Sequence, residues 1–298
     1  MCSAKSPFTC VVKELFFRRN LAIMQTMSTV DARKQKEAEF HDVIRDEALQ
    51  ERDEKKFKKL TANRKFYSIT RQSDDFVHQW IFEKGKDKKL LDYCCGNGGR
   101  SILFAKNGMY AVGIDISSTS IENAEREAVK QGVASHTEFL VMDAEATKFK
   151  DNTFDVAACI GVLHHLDTEK AFKELARITK PEGQVICNEP IAYNPLFQLY
   201  RKLTPQLRTE WEMHHILSKR DIEKAKTCFG KVEMRFFHLA TLGAVPFHNT
   251  PLFKPVLKLA EAVDSILLRI PLVQWLSWQI VFILSEPKKQ VYDSKESF

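Results

Sequence analysis

The sequence predicts an α/β fold: a parallel β-sheet with helices on both faces, an antiparallel edge strand and a helical cap. Three observations carry that prediction. Between residues 85 and 190, short apolar runs alternate with helical stretches, the pattern of strand–helix–strand units. The run LDYCCGNGGRS, residues 91–101, passes from an apolar strand through an acid and a glycine cluster into a helix start. After 191 the alternation breaks, and two late strand-like runs bracket a long helical excursion.

Residues 31–65 are dense in Lys, Arg, Glu and Asp, with Phe40, Ile44, Phe57 and Leu60 as sparse apolar anchors, and read as one or two surface helices. TRQSDDFVHQWIFE (70–83) reads as a helix that turns Phe76, Trp80 and Ile81 toward a core. KKLLDYC, YAVGIDI, HTEFLVMD, TFDVAACIG and QVICNEP read as strands. GRSILFAKNG, SSTSIENAEREAVKQG and TEKAFKELARITKPEG are the helices between them, the second opening on serines and stopping at Gly132. The stretch from Asn194 to Gly230 is helical with an interruption at Pro205. KVEMRFFHL and WQIVFILSEPK form an antiparallel edge pair, and the excursion between them folds over one face. The chain divides into a targeting segment or artefactual extension (1–26), N-terminal helices (27–84), a ligand-binding core (85–190) and a C-terminal part (191–298) with cap insertions at 194–228 and 240–276.

Composition excludes several classes. A net charge of +6 over 298 residues is modest, and the positive charge is dispersed, so no nucleic-acid partner is expected. Seven cysteines without CxxC pairs or a Cys/His cluster point to a reducing compartment and no metal. The first 26 residues set Lys5, Lys13, Arg18 and Arg19 against the single acid Glu14. That suits a transit peptide or a membrane-surface helix, while Met27 offers an alternative start. The expected location is cytoplasmic, or an organelle matrix if the basic segment is a transit peptide. No run matches a membrane-spanning length; IPLVQWLSWQIVFIL (270–284) contains Pro271 and two glutamines.

The glycine cluster implies a ligand brought close to the backbone at the carboxyl end of the first strand. Its order, Gly96-Asn97-Gly98-Gly99-Arg100-Ser101, lacks the third glycine of a GxGxxG dinucleotide fingerprint. Asp92 would repel a pyrophosphate. Asp115 and Asp143 close the next two strands, where acids can accept from ribose hydroxyls and an exocyclic amine. Three acids at three successive strand ends point to a ligand bearing an amine and a ribose, without phosphates. Strand-end aspartates that merely cap the next helix are the plainer reading of any one of them.

On these residues the sequence resembles the class I S-adenosylmethionine-dependent methyltransferases, type 11-like, whose core is a Rossmann-like sheet. The first motif is Leu90-Leu91-Asp92-Tyr93-Cys94-Cys95-Gly96-Asn97-Gly98, with Cys94 where the family usually has its first glycine. The resemblance implies S-adenosyl-L-methionine as cofactor. Gly96 and Gly98 would line its methionine part, Asp115 would hold the ribose and Asp143 with Ala144 the adenine, with Asp92, Cys94 and Ile116 also at the cofactor. FDVAACIGVLHHL (154–166) would supply Ile160 and the loop after the fourth strand.

Methylation needs alignment above all, and a base only if the acceptor must lose a proton. Candidates for that role are His164, His165, Glu189 and His214, with Tyr193 and His215 nearby. A histidine pair after a strand also serves simply to orient its loop. The apolar stretches LATLGAVPF and LFKPVLKLAEAVDSILLRIPLVQWL carry interspersed Lys254, Lys258 and Arg269. They suit a lipid, prenyl or other small hydrophobic acceptor and peripheral membrane contact, or equally an excursion packed as ordinary core. Three alternatives stand beside a small-acceptor methyltransferase: a non-catalytic protein that binds the same cofactor, a methyltransferase of protein or RNA, and, more remotely, a dehydrogenase.

Overall fold

The computed structural model describes residues 32–43, 45 and 62–289. Residues 1–26, and with them the targeting question, lie outside those described. Helix α1 spans 32–43. After a 3-10 segment at Ala62–Ile69 come α2 (Arg71–Gly85), β1 (Lys89–Tyr93), α3 (Gly99–Lys106), β2 (Tyr110–Asp115), α4 (Ser118–Lys130), β3 (Thr137–Val141) and β4 (Phe154–Ile160). Then follow α5 (Thr168–Ile178), β5 (Thr179–Pro190), α6 (Pro195–Leu203), α7 (Glu210–His214), α8 (Lys219–Cys228), β6 (Phe229–Phe237), α9 (Phe253–Leu267) and β7 (Gln279–Pro287).

Local chemistry fixes the ends of these helices. Ser117 caps α4 by accepting from Ser120 N, Asp167 caps α5 by accepting from the amides of Glu169 and Lys170, and Thr209 with Glu212 forms a capping box on α7. The strands pair in the order β3-β2-β1-β4-β5-β7-β6. β1 to β5 are mutually parallel, and β7 runs antiparallel to both β5 and β6. The last strand thus inserts beside β5, leaving β6 at the edge. β5 (Thr179–Pro190) begins five residues before the QVICNEP run and takes in TKPEG, which helical spacing assigns to α5; a register shift between Phe154 and Val156 accompanies it.

The period-two alternation of the strands sends neighbouring residues to opposite faces. Leu90 joins a cluster with Val77 and Ile81 of α2, Phe104 of α3 and Ala124 of α4. Leu91 joins one with Phe172 of α5, Ile222 of α8 and Phe282 of β7. Each such fully buried side chain contributes about 1.5–3 kcal/mol relative to exposure. A third, smaller cluster gathers Ile69, Phe197, Ala244, Val245 and Trp278. Here the excursion meets α6 and the 62–69 segment, and α9 itself buries only Asp264.

Candidate active site

The chain turns sharply as it leaves β1. Cys94, Gly96 and Gly98 have φ of 60°, 56° and 73°, all in the left-handed region. That explains the glycine preference at the first of these positions, where Cys94 takes the same conformation at some cost in strain. At Gly98 an added Cβ would meet the Ala124 Cβ at 2.6 Å and the Phe139 ring at 2.9 Å, so this glycine lets α3 lie against α4 and β3. The amide of Gly96 donates to Asp115 Oδ2 at 2.9 Å, and Ser117 N donates to Oδ1 at 3.0 Å. The Tyr93 hydroxyl donates to the Ala144 carbonyl and pins the loop after β3.

Two cavities open above these strand ends. The first, about 370 Å³, is walled by Cys94, Asp115, Ile116, Asp143 and Ala144 and covered by residues of α1 with Arg45. The second, about 660 Å³, shares Cys94, Gly161, Val162 and His164 with it and extends over Gly96 and Ile160 to Phe197, Tyr200 and Trp278. Asp92 and Gly98 line neither. Asp92 is 2% exposed and accepts from Ser101 Oγ at 2.7 Å; burial raises its pKa.

Cations from the N-terminal segment sit on the strand-end acids. Arg45 Nη1 lies 3.1 Å from Asp115 Oδ2, and Lys34 Nζ 2.5 Å from Asp143 Oδ2. Arg33 pairs with Glu145, and Ser117 donates to Asp42. The residues present fit the cofactor that the sequence resemblance implies. Asp115 is held through both oxygens by the amides of Gly96 and Ser117, Asp143 through Oδ1 by the amide of Glu145, and both residues line the first cavity. At Gly96 an added Cβ would lie 3.3 Å from the Arg45 guanidinium, so a side chain there would crowd Arg45.

The loop after β4 holds a chain of acids and imidazoles. Glu189, with 0% exposure, accepts from Val162 N at 2.7 Å, Leu163 N at 2.8 Å and His164 Nδ1 at 2.8 Å. His164 Nε2 lies 3.6 Å from Glu212 Oε1. His165 contacts the same Glu212 oxygen through Nε2 at 3.1 Å and Glu37 through Nδ1 at 3.0 Å. Burial by itself would depress His164, but its bonds to Glu189 and Glu212 prevail and raise it to about 9. Burial would raise Glu212, yet His165 and then His164 hold it well below the usual carboxylate range. At neutral pH His164 is therefore a cation with both ring nitrogens facing carboxylates. Among the described residues, the Glu189 carboxylate bonds the loop amides and His164, which makes it a positioning group.

The structure does not bring His214 to this cluster: it is exposed and lines neither cavity. His215 is exposed and stacks on Trp211 at 3.5 Å, and the Tyr193 hydroxyl accepts from Lys219 N at 2.9 Å. Sequence reasoning passed over Lys34, Glu37 and Arg45, whose charge density reads as a solvated face. It also passed over Glu212, Arg201 and Arg208. Two signals were available: Thr209-x-x-Glu212 is a capping-box pattern, and Arg201 falls four residues after Phe197 on one helix face.

Comparison with known proteins gives similarities over part of the chain. The model of the methyltransferase domain matches residues 91–187. A sterol 24-C-methyltransferase, erg6 of Aspergillus fumigatus, is 32% identical over 130 residues, 43% of this chain and 34% of that protein. Phosphoethanolamine N-methyltransferase 3 of Arabidopsis thaliana is 34% identical over 134 residues, 43% of this chain and 26% of that one. The chain thus spans about a third or less of these relatives' lengths. The crystal structure of geranyl diphosphate C-methyltransferase from Streptomyces coelicolor covers 72% of this chain and 79% of its own, at 17% identity and a TM-score of 0.51, which establishes a shared fold. The glycine turn, Asp115 and Asp143 thus fall inside the segment, residues 91–187, that is similar to the methyltransferase domain.

Proposed function

We propose that this protein transfers a methyl group from S-adenosylmethionine to a small, lipid-like acceptor. The observation that carries the reading is the pair of cavities meeting at Cys94, Gly161 and His164, one walled by Asp115 and Asp143, the other by aromatic rings. A third groove of about 470 Å³ shares Phe66, Phe197 and Tyr200 with the second and is lined by Leu196, Leu242, Val245 and Pro246. Such a sequence of surfaces suits a molecule with a polar reacting end and an apolar body.

Bound S-adenosylmethionine supplies an electrophilic methyl group on a sulfonium. The residues' contribution is to align the acceptor with it and keep water away, which can lower a barrier by about 7–11 kcal/mol. In this reading His164 stands on the wall that the two cavities share. Glu189 and Glu212 hold the ring in place. The two sequence relatives act on a sterol carbon and a phosphoethanolamine nitrogen, so the lipid-like acceptor rests on the apolar groove and not on them.

The same reading extends to a membrane surface. Leu259, Val263, Ile266 and Ile270 form a stripe along and just beyond α9, and Leu259 and Ile266 are 69% and 67% exposed. Lys254, Lys258 and Arg269 flank it, a distribution complementary to an anionic bilayer.

The test is transfer of label from methyl-labelled S-adenosylmethionine in a cell extract split into organic, aqueous and macromolecular fractions. Label in the organic fraction is the expected result. Label in water-soluble metabolites sinks the lipid-like acceptor, and label in protein or RNA sinks the small acceptor altogether.

A further inference from the structure

Beyond the general class of acceptor, and resting on the reading that the second cavity receives it, we propose that this cavity recognises an anionic group, a carboxylate or phosphate, through Arg201 and Arg208. α6 buries one face made by Phe197 and Arg201. Arg201 is 5% exposed, and its Nη2 donates to the Glu212 carbonyl. Arg208, half-buried, donates through Nη1 to the Thr204 carbonyl at 2.9 Å and to Thr204 Oγ1 at 3.1 Å. Both guanidiniums line the second cavity, and Arg100 stands exposed on the same wall.

Among the described residues, none of these three arginines is ion-paired with a carboxylate. The cavity's own acids are engaged elsewhere. Asp74 Oδ2 accepts from Thr70 Oγ1 at 2.6 Å. Glu212 turns Oε1 to the two histidines and accepts from Thr209 N through Oε2 at 3.1 Å. A cation buried without a counter-ion is costly, and two neighbouring cations repel each other as well. Burial, and then the charge of Arg208, push Arg201 down to about 10.

A ligand anion would relieve both costs. The planar guanidinium matches the two-oxygen edge of a carboxylate or phosphate, so the same pair selects shape as well as charge. Because the apolar groove of Leu196, Leu242, Val245 and Pro246 begins at Phe197 and Tyr200, the anion would sit at the head of an apolar body. A cationic or uncharged amphiphile of the same length would leave the arginines uncompensated.

The experiment is calorimetric binding of four ten-carbon probes to the full chain: decanoate, decyl phosphate, decanol and decyltrimethylammonium. At least one anion is expected to bind about tenfold or more tightly than decanol, and the cation more weakly than either. Decanoate against decyl phosphate tells which anion the fork prefers. Arg208→Gln should erase most of the preference, and Arg201→Lys, which keeps the charge and loses the fork, should reduce it several-fold. S-adenosylmethionine affinity of each variant is the folding control. Equal binding of charged and neutral probes, or a preference that survives in both variants, overturns the proposal. Failure here with methyl transfer intact removes only the anion site; anion preference without S-adenosylmethionine binding removes the methyltransferase reading instead.

Discussion

At the scale of single residues, His164 shows how neighbours decide a role that residue type leaves open. A His-His pair after a strand is visible in the sequence, but whether it takes protons or holds a loop depends on what each ring nitrogen faces. Here Glu189 and Glu212 come from segments 25 and 48 residues further along the chain, a pairing no local pattern displays. Cys94 was easier to place, since a motif position that usually holds glycine announces a positive φ. The His164 shift has a definite sign. With its folded pKa raised to about 9, the group stabilises the fold fully below its ordinary value near 6.5, and that stabilisation is lost as pH rises through about 9. The ring is largely buried, so the effect is on the order of 3 kcal/mol. NMR titration of the wild type should place the His164 midpoint near 9, and Glu189→Gln should move it markedly down. The variant's denaturation midpoint should then change less than the wild type's across that alkaline range. A midpoint near the ordinary value in the wild type would dissolve the cation assigned to this site.

Elements were legible in proportion to the regularity of their periodicity. The alternation from β1 to β5 follows from apolar strands and capped helices, and sequence alone places Asp115 at the end of β2, as observed. Asp143 lies two residues past the end of β3, against the strand end expected for it. Helix α1 could not be placed, because its partners are side chains more than seventy residues away and its charges read equally as a solvated surface. In the structure it lies over the first cavity through Arg33, Lys34, Glu37 and Asp42, with Arg45 reaching Asp115. The Arg45 guanidinium holds the Asp115 oxygen to which a ribose hydroxyl would donate. Arg45→Ala should therefore leave that oxygen with the Gly96 amide as its remaining donor and tighten S-adenosylmethionine binding by several-fold, up to about tenfold, the scale of one charge-assisted hydrogen bond. Amide exchange over 32–43 should rise at the same time, because one anchor of the segment is gone. Weaker cofactor binding in the variant would give Arg45 the opposite role, as a ligand of the cofactor.

For the whole molecule, the undecided piece was the excursion between β6 and β7. Periodicity says which residues share a helix face, but not whether that face meets the core, a cavity or solvent. The structure resolves this by burial: α9 keeps its inner side against the 240–247 segment and leaves Leu259, Val263 and Ile266 outside. Among the described residues no helix is long and apolar enough to cross a membrane, so a bilayer contact through this stripe would be peripheral. Apolar insertion and the attraction of Lys254, Lys258 and Arg269 to acidic headgroups would act together. Sedimentation with phosphatidylcholine vesicles, with and without phosphatidylserine, should show binding that needs the anionic lipid and weakens with salt. Leu259→Asp combined with Ile266→Asp should lower partitioning by about tenfold or more, since each change removes a side chain worth about 1.5–3 kcal/mol when buried and adds repulsion. The fold should be unaffected, because both positions face solvent. Equal binding to neutral and anionic vesicles would leave the basic residues without this role. Binding unchanged in the double variant would move the membrane contact away from α9, and the groove at Leu196 and Leu242 would then have to take its acceptor from solution.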